Sequence, residues 1–309
     1  MNAYLVEAKR TAIGRAHPDK GLFRNVRADE LLAILMRELF VRLPDGETCK
    51  AAIDDVYIGC VGQHLEQGKN IARLVVALLA EMPDSVPGVT INRLCASSLQ
   101  AFNFAATTIA AGHAELLLAG GVEHMTHVPM QAAIDYNQQL LARYEFPFNN
   151  MGLTAEKVAQ VYNISRRRQD QLAVESHRRA LAAQQAGHFA REIIPIPVDD
   201  SSAEQDQAPR PGTSLERLAE LKSIFMENGT VTAGNSSPLN DGASLTLLAS
   251  ESACKRFALQ PRARVVDFTV VGLDPCQMGM GPVPAIEKLL QKNRLTVADI
   301  DLFELNEAF

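Results

Sequence analysis

Cys95 is the residue whose surroundings most invite chemistry. The run Val89-Thr90-Ile91-Asn92-Arg93-Leu94-Cys95-Ala96-Ser97-Ser98 reads as a short β-branched strand, a turn and the start of an apolar helix, with the thiol at the turn. Backbone N–H groups at a helix N-terminus, together with the helix dipole, suit negative charge on sulfur. The small residues after the thiol would let a thioester approach the backbone, whose N–H groups could hold an oxyanion. A buried structural thiol is among the commonest fates of a free cysteine, so the local pattern alone does not establish catalysis.

A second candidate is the stretch from Gly229 to Gly242, GTVTAGNSSPLNDG, dense in small hydrogen-bonding residues. It suits a narrow channel where a long polar ligand runs against backbone, or else a turn-rich linker. Met278-Gly279-Met280-Gly281-Pro282-Val283-Pro284 precedes a helix, but Pro284 stands where a dinucleotide loop needs its third glycine. His124 and His127 lack further ligands at metal-binding spacing, so we expect no metal site. His177, beside Arg178 and Arg179, fits a solvated or capping role. The five cysteines form no C-x-x-C pair and are odd in number, which argues against a disulfide framework and a structural zinc.

The elements that must position these residues alternate. Strands are expected at Tyr4–Val6, Val56–Cys60, Val89–Asn92 and Glu115–Ala119, the last closed by Gly120-Gly121. Helices are expected around Leu32–Phe40, over Ile71–Leu79, and from Cys95 to Ala111, the last so apolar that both faces look buried. From about 122 to 235 the chain is more polar and helix-rich. There Ser165 caps a long helix ending near Gly187, residues 199–212 form a polar loop, and Thr213 with Glu216 has capping-box spacing. A buried strand returns at Leu245–Leu248; further strands are expected over Arg262–Val271 and Leu302–Leu305, with a helix over Pro282–Lys292 between them. Strands alternating with helices, several of them continuously apolar, predict an α/β layered fold.

With 47% hydrophobic and 21% charged residues, the chain has the composition of a soluble globular protein, and its length suggests about two domains. The net charge of −6 offers no nucleic acid a general footing. Apolar runs fall short of the roughly 18 to 20 residues of a membrane span, and no leader pattern precedes Met1-Asn2-Ala3-Tyr4. We therefore expect a cytoplasmic protein without a membrane span.

Taken in order, Arg10-Thr11 with Gly14-Arg15, Asn92 to Ser98, Gly120-Gly121-Val122-Glu123-His124-Met125, Met151-Gly152-Leu153-Thr154-Ala155-Glu156, Gln169-Asp170, Ser176 to Ala180, Gly229 to Ala243, Gly279 to Ala285 and Asn306-Glu307-Ala308-Phe309 resemble the thiolase family along the whole chain. The runs Phe23 to Ala28 and Glu123 to Met130 are more similar to the bacterial 3-ketoacyl-CoA thiolases of fatty-acid β-oxidation than to the biosynthetic acetoacetyl-CoA enzymes. The resemblance implies two similar βαβαβαββ-type halves in a five-layered αβαβα core. A first half would cover 1–261, with a helical loop domain inserted at 122–235, and a second, incomplete half would start at 262.

It further implies that Cys95 is the nucleophile of thiolytic cleavage and that Asn306 positions a water in an oxyanion hole. Ser237 would contact the pantetheine arm, with Met151, Met278 and Ala233 along the same channel. CoA and acyl-CoA would be substrates, with no permanently bound cofactor, in a homodimer that could join the hydratase/dehydrogenase subunit of a fatty-acid oxidation complex. Two features depart from the family pattern. Ser223 stands where family members usually carry proline, and the family's glycine-His-Pro and late Cys-x-Gly motifs, which belong after Asn306, are not in these residues. We accordingly expect a sequence cut short within its second half. A biosynthetic acetoacetyl-CoA thiolase, a ketoacyl synthase and a non-catalytic acyl-CoA-binding protein are the alternatives.

Overall fold

A computed structural model describes residues 1–132, 134–144 and 146–309. By compactness the chain divides into two units. The first comprises Met1–Ala133, Ala186–Ala208 and Leu239–Val266, and the second Ile134–Gln185, Pro209–Pro238 and Asp267–Phe309.

The first unit is built on one mixed sheet. Its strands are β1 (Ala3–Arg10), β2 (Gly14–Arg15), β3 (Asp55–Gly59), β4 (Gly88–Ile91), β5 (Leu116–His124), β8 (Asn240–Ser250) and β9 (Ala263–Arg264), and a separate hairpin pairs β6 (Ile196–Val198) with β7 (Ser201–Ala203). The spatial order is β4-β3-β5-β8-β1-β9, with β2 on β8. β3 pairs in parallel with both β4 and β5, whereas β8 runs antiparallel to β5 and β1. The helices of this unit are α1 (Ala28–Val41), α2 (Gly46–Ala51), α3 (Ile71–Leu78), α4 (Ser97–Ala110) and α9 (Glu251–Arg256).

Both faces of the sheet are covered, and the period of two in β5 distributes its side chains between them. Leu116 and Leu118 join the larger core, where Leu31, Leu35 and Leu39 of α1 and Val75 of α3 are fully buried. Leu117 and Ala119 face the other way and pack with Ala105, Ala106 and Ile109 of α4. At the start of α1 the Glu30 carboxylate accepts the Arg27 N–H at 3.3 Å.

The second unit holds α5 (Gln138–Arg143), α6 (Met151–Val161), α7 (Arg166–Gln185), α8 (Leu215–Ala219) and α10 (Pro282–Asn293). The Ser165 hydroxyl accepts the Arg168 N–H at the start of α7, and Gly187, two residues past its end, takes the left-handed φ of 72° that glycine adopts without strain. Among the described residues no helix is long and apolar enough to cross a membrane.

Several elements differ from expectation. β5 continues through Gly120-Gly121 to His124, because those glycines sit in the ladder opposite Leu245 and Ser244. α4 is not buried all round: Leu99 and Phe104 are exposed. The polar loop after 198 turns back as the β6–β7 hairpin. Ser214, rather than Thr213, caps α8 by accepting the Arg217 N–H, and Thr213 bonds back to Arg210 O instead. Within 262–271 only Ala263–Arg264 finds a ladder, on β1, and 302–305 joins no strand, leaving Leu302 80% exposed. A β-rich apolar pattern becomes a strand only where a partner edge meets its N–H and C=O groups.

Candidate active site

The turn carrying Cys95 is fixed by its own neighbours and by one bond to Val61. Asn92, after β4, donates from Nδ2 to Val61 O at 3.1 Å and accepts the Leu94 N–H on Oδ1 at 2.9 Å. This Asx turn leads into Leu94 at φ 49°, a left-handed conformation that disfavours a branched side chain. The Ser97 hydroxyl closes the turn, accepting the Arg93 N–H at 2.8 Å and donating to Leu94 O at 2.6 Å. Cys95 thus projects, exposed, one residue before the helix cap Ala96. The Ala96 and Ser97 N–H groups, offered by the sequence as oxyanion donors, are engaged within the turn by Arg93 O and Leu94 O at 3.1 and 2.9 Å.

Two glycines let this helix end settle on the sheet. A Cβ on Gly59 would lie 2.3 Å from the Ser97 carbonyl carbon and the Ser98 nitrogen, and one on Gly121 would lie 2.7 Å from Ser98 Cβ. The thiol therefore sits at the C-terminal ends of the parallel strands β3 and β4, where open α/β sheets bind their ligands.

The other four cysteines are buried. Burial, reinforced by Glu123, pushes the Cys60 thiol up to about 12. Burial also raises Cys49, Cys254 and Cys276, with smaller contributions from Asp45, Glu251 and Asp274. A buried thiol that resists ionisation is a poor nucleophile. Exposure therefore selects Cys95.

Behind the turn lies a buried polar network. Glu123 accepts the Val61 and Gly62 N–H groups at 2.8 and 3.0 Å, while Gln67 bridges Glu123, Gly62 O and the His124 N–H. His124 is fully buried; its Nε2 faces Phe23 O at 3.1 Å and its Nδ1 accepts the His127 N–H at 3.3 Å. His127 sets Nδ1 against Glu66 at 3.0 Å and Nε2 against Arg24 O at 2.8 Å. Glu66, His124 and His127 cluster closely enough to suggest metal ligands. Each ring nitrogen, however, already has a backbone or carboxylate partner, so the set is used as struts.

In the second unit, buried carboxylates organise the small-residue stretch. Glu156 of α6 accepts the Thr230 and Val231 N–H groups, both at 2.7 Å, and the Thr230 hydroxyl at 2.8 Å. Asp170 of α7 pairs with Arg166 and accepts Asn235 Nδ2 at 2.9 Å; Asn235 Oδ1 in turn accepts the Thr232 N–H at 2.7 Å. Beyond this buried anchorage Ala233 and Ser237 are exposed, and the Ser237 N–H donates to Ala308 O at 2.9 Å. Asn306 is exposed and, with Glu304, Leu305 and Glu307, lines an open recess. Met151 begins α6, which packs against the turn 275–280 that carries Met278; both methionines are partly buried. Cys95 belongs to the first unit, and the other five candidates to the second. The structural roles of Glu156, Asp170 and Ser97 were not apparent from the sequence. Their only signal was the placement of hydrogen-bonding side chains inside motif segments.

Residues 3–252 match the thiolase N-terminal domain, and residues 259–309 match the thiolase C-terminal domain. The chain belongs to the thiolase family. A 3-ketoacyl-CoA thiolase of Cronobacter sakazakii is 51% identical to it over 99% of this chain and 79% of the relative. One from Yersinia enterocolitica is 50% identical, covering 100% and 80%. Among solved structures, the dimeric peroxisomal thiolase of Saccharomyces cerevisiae superposes with a TM-score of 0.91 at 36% identity, and human mitochondrial 3-ketoacyl-CoA thiolase in complex with CoA with 0.87 at 34%; each match covers 100% of this chain and 79% of the other. The sheet with α4 on one face and α1 and α3 on the other is thus part of a thiolase α/β fold, and the exposed thiol at the head of α4 is the thiolase chain's candidate nucleophile.

Proposed function

We propose that this thiolase acts on 3-ketoacyl-CoA, with Cys95 as nucleophile. The supporting observation is the single exposed thiol, held on the Leu94 turn at the head of α4 while the four other thiols are buried. The Cys95 thiol gives its proton to a base, and sulfur adds to the C3 keto carbon, forming a tetrahedral oxyanion. The C2–C3 bond then breaks, its electron pair leaving on C2 as the enolate of acetyl-CoA, which takes up a proton. The acyl group remains on Cys95 as a thioester until the thiol of a second CoA attacks it, expelling the Cys95 sulfur and releasing an acyl-CoA shortened by two carbons. Covalent catalysis thereby divides carbon–carbon cleavage into two acyl transfers.

Asn306 is the assigned water-positioning residue for the oxyanion. Ser237, Met151, Met278 and Ala233 are assigned to the pantetheine arm; the exposure of Ser237 and Ala233 beyond a buried anchorage supports this assignment. We divide the halves near 262, with 122–235 as the loop domain. We place the protein in the cytoplasm as a homodimer of fatty-acid β-oxidation, able to join a hydratase/dehydrogenase subunit; the dimeric yeast structure supports the dimer.

The test is thiolysis by the full-length protein. Cys95→Ser should lower kcat by about a thousandfold or more while leaving the fold intact. Undiminished turnover by that variant would remove Cys95 from the mechanism. CoA binding by the wild type without any turnover would instead make this a binding protein.

A further inference from the structure

The segment Asn306–Phe309 has no helix or ladder of its own, and residues 302–305 before it are exposed and unpaired with any strand. Contacts with other parts of the second unit hold it. Ser176 Oγ on α7 donates to Glu307 Oε2 at 2.6 Å, the Ser237 N–H donates to Ala308 O at 2.9 Å, and the Phe309 ring meets Phe225 edge-on with 6.2 Å between centroids.

These contacts close a frame. α7 carries both Ser176 and Asp170; Asp170 holds Asn235, and two residues further on Ser237 holds Ala308. Glu307 and Ala308 are thus tied to one helix by two routes, one direct and one through the stretch proposed to bind the pantetheine arm. The Ser176–Glu307 bond fixes the side chain of the residue next to Asn306, and with it the direction of the peptide between them. The Asn306 side chain turns with that peptide.

We propose that Ser176, acting through Glu307, is a positioning residue for Asn306. The inference rests on the role given above to Asn306. The interaction is charge-assisted and short, so it holds direction as well as distance. What it needs is a hydroxyl donor at 176 and an oxygen acceptor at 307; a negative charge at 307 is not essential.

The experiment is steady-state thiolysis by the full-length protein with acetoacetyl-CoA and CoA. Ser176→Ala should lower kcat roughly tenfold to a hundredfold, the cost of misplacing a catalytic group by about 1 Å, while KM for CoA stays within about twofold. Ser176→Thr should restore most of the loss, because it keeps the hydroxyl. Glu307→Ala should match Ser176→Ala, Glu307→Gln should remain near wild type, and the Ser176→Ala/Glu307→Ala double variant should be no worse than either single one. An unchanged kcat in Ser176→Ala, or additive losses in the double variant, would overturn the inference. The Glu307 pair reads the same bond from the exposed side should Ser176→Ala fold poorly. Asn306→Ala separates the two levels: if it leaves kcat intact, the reading of Asn306 itself falls. If it lowers kcat while Ser176→Ala does not, only the positioning role falls.

Discussion

The turn that carries Cys95 and the stretch that carries Ser237 differ in how far away their main supports lie. Around Cys95 most fixing bonds are short-range: Asn92, Arg93, Leu94 and Ser97 bond to one another, and long-range structure enters as the Asn92 bond to Val61 O and the contact that Gly59 and Gly121 permit. Around Ser237 local bonds among Thr230, Thr232, Asn235 and Ser236 are joined to a remote anchorage. The stretch is hung from Glu156 and Asp170, carboxylates lying 74 and 65 residues away in sequence from the groups they hold. A nucleophile needs one well-defined direction, which a strained turn supplies. A surface for a long polar ligand needs small exposed residues, and here their local bonds are backed by buried carboxylates.

If this contrast is right, the largest effect should come from removing a remote carboxylate. Glu156→Ala leaves the Thr230 and Val231 N–H groups without their acceptor, Val231 being buried. Buried unsatisfied donors cost about 1–3 kcal/mol each, so a loss of roughly 3–5 kcal/mol is expected in denaturant unfolding. A loss below about 1 kcal/mol would show that the stretch holds itself.

Gly59→Ala comes next. Its Cβ would meet backbone rather than a movable side-chain tip, so the head of α4 must shift. We expect about 1–3 kcal/mol of destabilisation and a drop in kcat/KM larger than that of a stability-matched variant far from Cys95. Equal drops would break the link between this contact and the nucleophile.

The smallest effect is electrostatic. Burial alone would lower the His127 pKa, but Arg24 O and Glu66 face its two ring nitrogens with acceptors, and the net shift is upward. A histidine raised on folding contributes stability that is fully present below its ordinary value of about 6.5 and is lost as pH rises through the folded value. The unfolding free energy should therefore fall on the alkaline side of that value by no more than about 1 kcal/mol, and His127→Gln should flatten the profile. A profile unchanged by the substitution would mean that the imidazolium is not held there.

The same contrast explains what the sequence made legible. The strand–turn–helix around Cys95 could be read directly because its determinants are neighbours, and α1, α3, β3 and β4 could be read from periodicity. The strand expected at 302–305 did not form, and the one expected over 262–271 shrank to two residues, because a ladder depends on a partner edge that no local pattern encodes. β5 running through Gly120-Gly121 was hidden for the converse reason: its glycines answer to β8 and to Ser98 across the sheet. Glu156 and Asp170 stood in plain view inside matched motifs, but a carboxylate shows whether it is buried or solvated only once its donors are assembled.

The measurement closest to the central claim is to expose the full-length protein to acetyl-CoA, record its intact mass and map the modified peptide. A gain of one acetyl group on the peptide bearing Cys95, reversed by added CoA and absent from Cys95→Ser, is the predicted result. An acetyl group carried elsewhere, or no adduct in a protein that still turns over substrate, would contradict it.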